Sequence, residues 1–171
     1  MDIFPKGVEI ITKLLERLLV ILMWIMVFAV VWQVFTRFVI NSPSTFTDEL
    51  SRYLMMWIGI LGGAYVYALK RHLAIDILIT KISLKKQNIL TIFISVIIMA
   101  FSSIVLVYGG FNVVSTTLSF NQISPSLSLF GQNLPMGYVY MAAPIAGVII
   151  IICTINDILQ TIKKCGNDGE E

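Results

Sequence analysis

Charge is what this sequence lacks most: from residue 87 to residue 156 there is no Asp, Glu, Lys or Arg. An ordinary soluble domain carries charge at about a quarter of its positions and cannot leave so long a stretch without it. Over the whole chain 13% of residues are charged and 57% are hydrophobic, with a mean hydropathy of +0.88. A soluble globular domain is excluded. Cysteine is scarce as well. Cys153 lies in an apolar run and Cys165 in a basic tail, a pattern that fits neither a disulfide framework nor a metal site. The one histidine, His72, cannot supply the two axial ligands that a haem-bearing membrane subunit normally needs. The sequence offers no phosphate loop, no Ser–His or Cys–His arrangement and no metal-ligand cluster, which argues against an enzyme and against any cofactor. It also offers no carboxylate in the middle of an apolar run, where a carrier working alone would place one.

What is present is four apolar runs, at about 20 residues per crossing. They predict an all-α membrane protein of four transmembrane helices, spanning about 18–39, 50–69, 89–113 and 138–158, with short interfacial helical segments. The first run is too long for a cleavable signal and has no small-residue cleavage site, so it is expected to be a retained anchor. Before it, residues 1–17 are amphipathic, with Phe4, Val8, Ile11 and Leu15 on one face and a Glu9–Lys13 pair off it. This is either an interfacial helix or an extension of the first span. Unbroken to Ile40, such a helix would be about 50 Å long, more than a bilayer needs without tilt or protrusion.

Residues 73–88 are too short and too charged to span; a segment in the headgroup plane or a simple loop fits them. Residues 115–137 are chargeless and rich in Ser, Asn, Gly and Pro, which predicts a loop with room for a short surface helix, long enough to be a docking surface. Residues 159–171 form a polar tail. Gly59 and Gly63, with Gly62 beside them, and Ala143 with Gly147 have the four-residue spacing that lets helix backbones approach closely. Pro144 is a candidate kink.

The stretch from Phe46 to Asp76 organises the chain. Thr47 is the expected N-cap, with Thr45 and Asp48 in capping-box spacing as the other register. Asp48 and Glu49 fall in the first turn, where the helix dipole favours anions, and Arg52, three residues on, is placed to pair with Glu49. At the far mouth Lys70, Arg71 and His72 meet the headgroups, with Asp76 one turn after His72 as its salt-bridging candidate. Gln33 and Arg37 lie one turn apart at the end of the first run. Two readings of Arg37 stand: it snorkels to the interface, or it and Gln33 face the second helix and reach Asp48 or Glu49. The short turn Asn41-Ser42-Pro43-Ser44 makes the first two helices antiparallel neighbours. Gln33, Arg37, Asp48, Glu49 and Arg52 are therefore the candidate helix clamp and partner surface.

WQVFTRFV at 32–39, DELSRYLMMWIGILGGAY at 48–65 and KRHLAID at 70–76 resemble the small membrane (permease) subunit of tripartite ATP-independent periplasmic (TRAP) transporters. Phe46 departs from the Trp often found there, which weakens an aromatic-anchor role. The resemblance implies a bacterial inner-membrane protein with two partners besides lipid: a large permease subunit holding the substrate and sodium sites, and a periplasmic substrate-binding protein. The small subunit would support the scaffold of the large one and help dock the binding protein during sodium-coupled uptake of organic acids such as sialic acids or C4-dicarboxylates. No nucleic-acid partner is implied. The alternative is a self-assembling four-helix small-molecule exporter, a class that relies on a carboxylate in its first span; residues 18–40 contain none.

With four spans, one side carries Lys6, Lys13, Arg17, Lys70, Arg71, Lys81, Lys85, Lys86, Lys163 and Lys164, and the other only Arg37 and Arg52. The basic excess predicts that both termini are cytoplasmic. A single cysteine at position 126 in a cysteine-free background is expected to label in intact cells; labelling only after permeabilisation would reverse the topology.

Overall fold

A computed structural model describes residues 3–69, 84–129 and 132–167. Its elements are α1 (Ile3–Phe38), α2 (Thr45–Ala68), α3 (Leu84–Phe101), a π-helical stretch (Ser102–Gly109), α4 (Gly110–Ser119), β1 (Ile123–Leu129), β2 (Gln132–Pro135), α5 (Met136–Tyr140) and α6 (Ala142–Asn167). The amphipathic start and the first apolar run form one helix. At 1.5 Å per residue α1 is about 54 Å long, well beyond a bilayer's hydrocarbon thickness. Three helical segments, Gly7–Phe38, Gln87–Ser119 and Met136–Lys163, are long and apolar enough to cross a membrane. α2 has the length, but Asp48, Glu49 and Arg52 in its first third leave it short of that apolarity.

α1 ends where Asn41 takes a left-handed φ of 54°, a conformation that Asn tolerates better than most residues. The Ser42 amide then reaches back to the Thr36 carbonyl at 3.2 Å. Ser44 is the N-cap of α2: its backbone is extended and its hydroxyl accepts from the Thr47 amide. The expected cap at Thr47 is thus corrected by three residues. Ser44 follows Pro43, which cannot donate a backbone hydrogen bond, and stands three residues before the first amide it caps. Thr47 instead lies inside the first turn, buried, with its hydroxyl on the Ser44 carbonyl at 3.2 Å.

The third apolar run is longer than expected, continuing as helix to Ser119. Within it the Gly110 amide bonds to the Val105 carbonyl, five residues back, which is the hydrogen-bond pattern of a π-turn. The chargeless segment after it contains a β-hairpin rather than a surface helix. Ile123 pairs with Pro135, Ser128 with Asn133 and Leu129 with Gln132, antiparallel, with an irregularity in between. The reason is legible in ISPSLSL: Ser at 124, 126 and 128 alternates with Ile123, Pro125, Leu127 and Leu129, the two-residue period of a strand. The all-α expectation holds for the bulk of the chain and gains this two-stranded addition.

Packing runs α1 against α2, α2 against α6, and α6 against α3 and the π-stretch. Leu15, Leu61, Ala64 and Ala146 form the core, flanked by Trp57, Tyr65, Ile149 and Ile150. Small residues set the closest approaches. A Cβ added at Gly147 would lie 2.8 Å from the Leu106 Cβ and 3.2 Å from the Val107 backbone nitrogen. One added at Gly110 would come within 3.2 Å of the Ala143 Cβ and 2.9 Å of Pro144 Cδ. Gly59, Gly62 and Gly63 are different: a Cβ there meets nothing within 4 Å, so they do not mediate packing within this chain. Deeper in the α2–α6 seam, Thr154 Oγ1 lies 2.7 Å from both the Tyr67 hydroxyl and the Ile150 carbonyl. Lys70, Arg71, His72 and Asp76 lie outside the described residues, as does most of the interfacial segment proposed over 73–88, whose last residues begin α3. We expect Gly147→Val to lower the melting temperature of the detergent-solubilised protein, at a cost of about 1–3 kcal/mol from overpacking. Gly59→Ala should leave it unchanged or slightly raised, and equal losses at the two sites would contradict this packing.

Candidate functional site at the hairpin end

The polar side chains of the first two helices meet at the end of the bundle that carries the hairpin. Asp48 and Glu49 are consecutive, so on a helix their side chains diverge by about 100°. Asp48 faces α1. Gln33 Nε2 donates to Asp48 Oδ1 at 2.8 Å, and the Arg52 guanidinium pairs with Oδ2 one turn along α2. Glu49 faces the hairpin. Its Oε2 accepts from the Ser124 hydroxyl and from the Ser126 amide, the latter at 3.0 Å.

Ser124 is completely buried and is the hub of this contact. While donating to Glu49 it accepts from the Leu127 amide at 3.2 Å. The Tyr53 hydroxyl, one turn beyond Glu49, lies 3.3 Å from Ser124 Oγ and 3.2 Å from the Met136 sulfur. A carboxylate accepting two hydrogen bonds from a neighbouring loop is held more firmly than a surface ion pair. Hydrogen bonds to charged groups contribute about 1.5–3 kcal/mol each, against roughly 0.2–1 for an exposed pair such as Asp48–Arg52.

The sequence-predicted residues therefore divide. The structure brings together Gln33, Asp48 and Arg52. The expected Glu49–Arg52 pair is replaced by Asp48–Arg52, because Glu49 points to the hairpin and Arg52 reaches four residues back rather than three. Arg37 is exposed, its guanidinium 5.9 Å from the Phe38 ring centroid, and among the described residues it forms no ion pair. It does not clamp α2; with Gln33, Pro43, Ser44, Thr45 and Asp48 it lines a cavity of about 270 Å³. Sequence reasoning missed Ser124, Ser126, Tyr53 and Met136. The signal was the Ser alternation, whose inward hydroxyls need an acceptor once the strand packs on a helix bearing an acid.

These features define a multi-helix membrane protein whose charged chemistry is gathered at one end of its first two helices. Residues 26–164 match the family described as "Tripartite ATP-independent periplasmic transporters, DctQ component", and the chain belongs to that family. It is a small permease component of a TRAP-type transporter. It is 29% identical over 152 residues to a putative TRAP transporter small permease protein of Haemophilus influenzae, covering 89% of each chain. It is 27% identical over 135 residues to the sialic acid TRAP transporter small permease protein SiaQ of Vibrio cholerae, covering 78% of each. It is also 22% identical over 125 residues to the isethionate TRAP transporter permease protein DctMQ of Oleidesulfovibrio alaskensis, covering 73% of this chain and 19% of that one.

In hydrogen-exchange measurements, Glu49→Ala should speed exchange of the Ser126 amide by about tenfold or more, the loss of one charge-assisted bond. Asp48→Asn should leave it unchanged. Equal effects of the two would mean that the carboxylates do not divide the work.

Proposed function

We propose that this chain crosses the bacterial inner membrane four times with both termini in the cytoplasm, α2 being the fourth crossing. It serves as the static partner of a large TRAP permease subunit. The hairpin end then faces the periplasm, where it helps receive a substrate-binding protein. The observation that carries this reading is where the charges go. Asp48, Glu49 and Arg52 are engaged within the chain, and residues 87–156 contribute none, so this subunit has no carboxylate at mid-span to bind ion or substrate.

The relative DctMQ supports the partnership, since a segment like this chain forms about a fifth of that permease. The relatives named for sialic acid and isethionate are both named for organic anions, in keeping with uptake of organic acids. Sodium coupling, on this reading, belongs to the large subunit. Gly59 and Gly63, open along α2, are offered as positions where the partner's backbone approaches, and Arg37 as an unpaired cation on the periplasmic rim. Lys70, Arg71, His72 and Asp76 are assigned to the cytoplasmic headgroups.

Proteoliposomes holding this chain alone should take up no substrate, and those holding it with the large permease should do so when the binding protein is added. Arg37→Gln should lower that uptake several-fold while leaving the Ser126 amide as protected as in the wild type. Uptake by the chain alone would overturn the assignment.

A further inference from the structure

α1 and α2 leave a groove of about 640 Å³ on one side of their seam, within the range of small-molecule sites. Its wall is a single stripe of α1, Glu16, Leu19, Val20, Met23, Trp24 and Val27, closed by Tyr65 of α2. From Glu16 to Val27 the stripe rises by about 16 Å, close to half the roughly 30 Å of a bilayer's hydrocarbon core. The groove is thus about one leaflet deep. Its walls are apolar throughout, except at the mouth, where Glu16 stands at the edge of the apolar run that begins at Leu18. Among the described residues Glu16 has no ion-pair partner, whereas Glu9, two turns earlier, is paired with Lys13 at 2.7 Å.

An acid at headgroup level above an apolar slot one acyl chain deep complements a lipid that carries a cation. A lipid with an anionic head would meet repulsion there. We propose that this groove binds a phospholipid with a primary ammonium headgroup, phosphatidylethanolamine, its ammonium on the Glu16 carboxylate and one acyl chain against Leu19, Met23 and Val27. Which leaflet supplies the lipid follows from the orientation proposed above; the headgroup preference does not depend on it.

Trp24 lines the groove and provides the readout. In a Trp32→Phe, Trp57→Phe variant it is the sole tryptophan of the full chain. This protein is reconstituted in phosphatidylcholine vesicles, and its fluorescence is quenched by added lipid with brominated acyl chains. Brominated phosphatidylethanolamine should quench with an apparent affinity about threefold above that of brominated phosphatidylglycerol, as one interfacial ion pair allows. Glu16→Gln should erase that preference, and Val20→Phe, which fills the groove, should weaken quenching by both lipids. Equal quenching by the two lipids in the Glu16 protein, or a preference that survives Glu16→Gln, would overturn the proposal. So would loss of quenching when the large permease is co-reconstituted, which would make the groove a protein interface. Uptake is not read in this assay, so its failure is separable from failure of the proposed transport role.

Discussion

The hairpin end depends on two neighbouring carboxylates held apart by the helix on which they sit. A partly buried acid must be satisfied by hydrogen bonds or by an opposite charge, and consecutive residues on a helix cannot share one partner face. Asp48 therefore draws on α1 and on Arg52, and Glu49 on the hairpin. That division ties α1, α2 and a segment some 75 positions away in sequence into one unit without any intramembrane charge. Ser124 is the fold's other half of the contract, a buried hydroxyl with little reason to be inside except to meet that acid.

The body of the protein is held by little else. Its core is a thin seam of Leu15, Leu61, Ala64 and Ala146, while large side chains such as Trp24, Phe28, Val31 and Phe38 on α1 point outward. In lipid, burying those side chains gains almost nothing, so helix association falls to close packing and hydrogen bonds. Gly147 on the π-stretch and Thr154 beside Tyr67 are instances of each. An outward apolar surface of this kind suits a subunit surrounded by lipid and by a larger partner.

Much of this was legible from the sequence and some was not, for physical reasons. Helix existence followed from long apolar runs, and the proximity of Gln33 to Asp48 from a turn too short to separate their helices. The N-cap at Ser44 was missed because three Ser or Thr residues precede Asp48 and each can cap; only the backbone decides among them. Arg52 had acids three and four residues before it, and the choice was made by the hairpin, which no local pattern reports. The hairpin itself was written in the Ser alternation but masked by Pro125 and by a composition that signals loop. Gly59 and Gly63 carry a spacing that says close approach without saying to what.

The π-stretch has a consequence for how this chain tolerates change in length. A π-turn is an α-helix carrying surplus residue, so Ser102–Gly109 behaves as a built-in insertion that the backbone has already absorbed. Removing one residue there would restore ordinary α-helical bonding, yet it would also turn everything after it by about 100°. Val114 and Thr117, now facing inward, would swing away, and the hairpin would be presented to α2 from the wrong side. The stretch acts as a phase-setter: it fixes the azimuth at which the third long helix delivers Ser124 to Glu49.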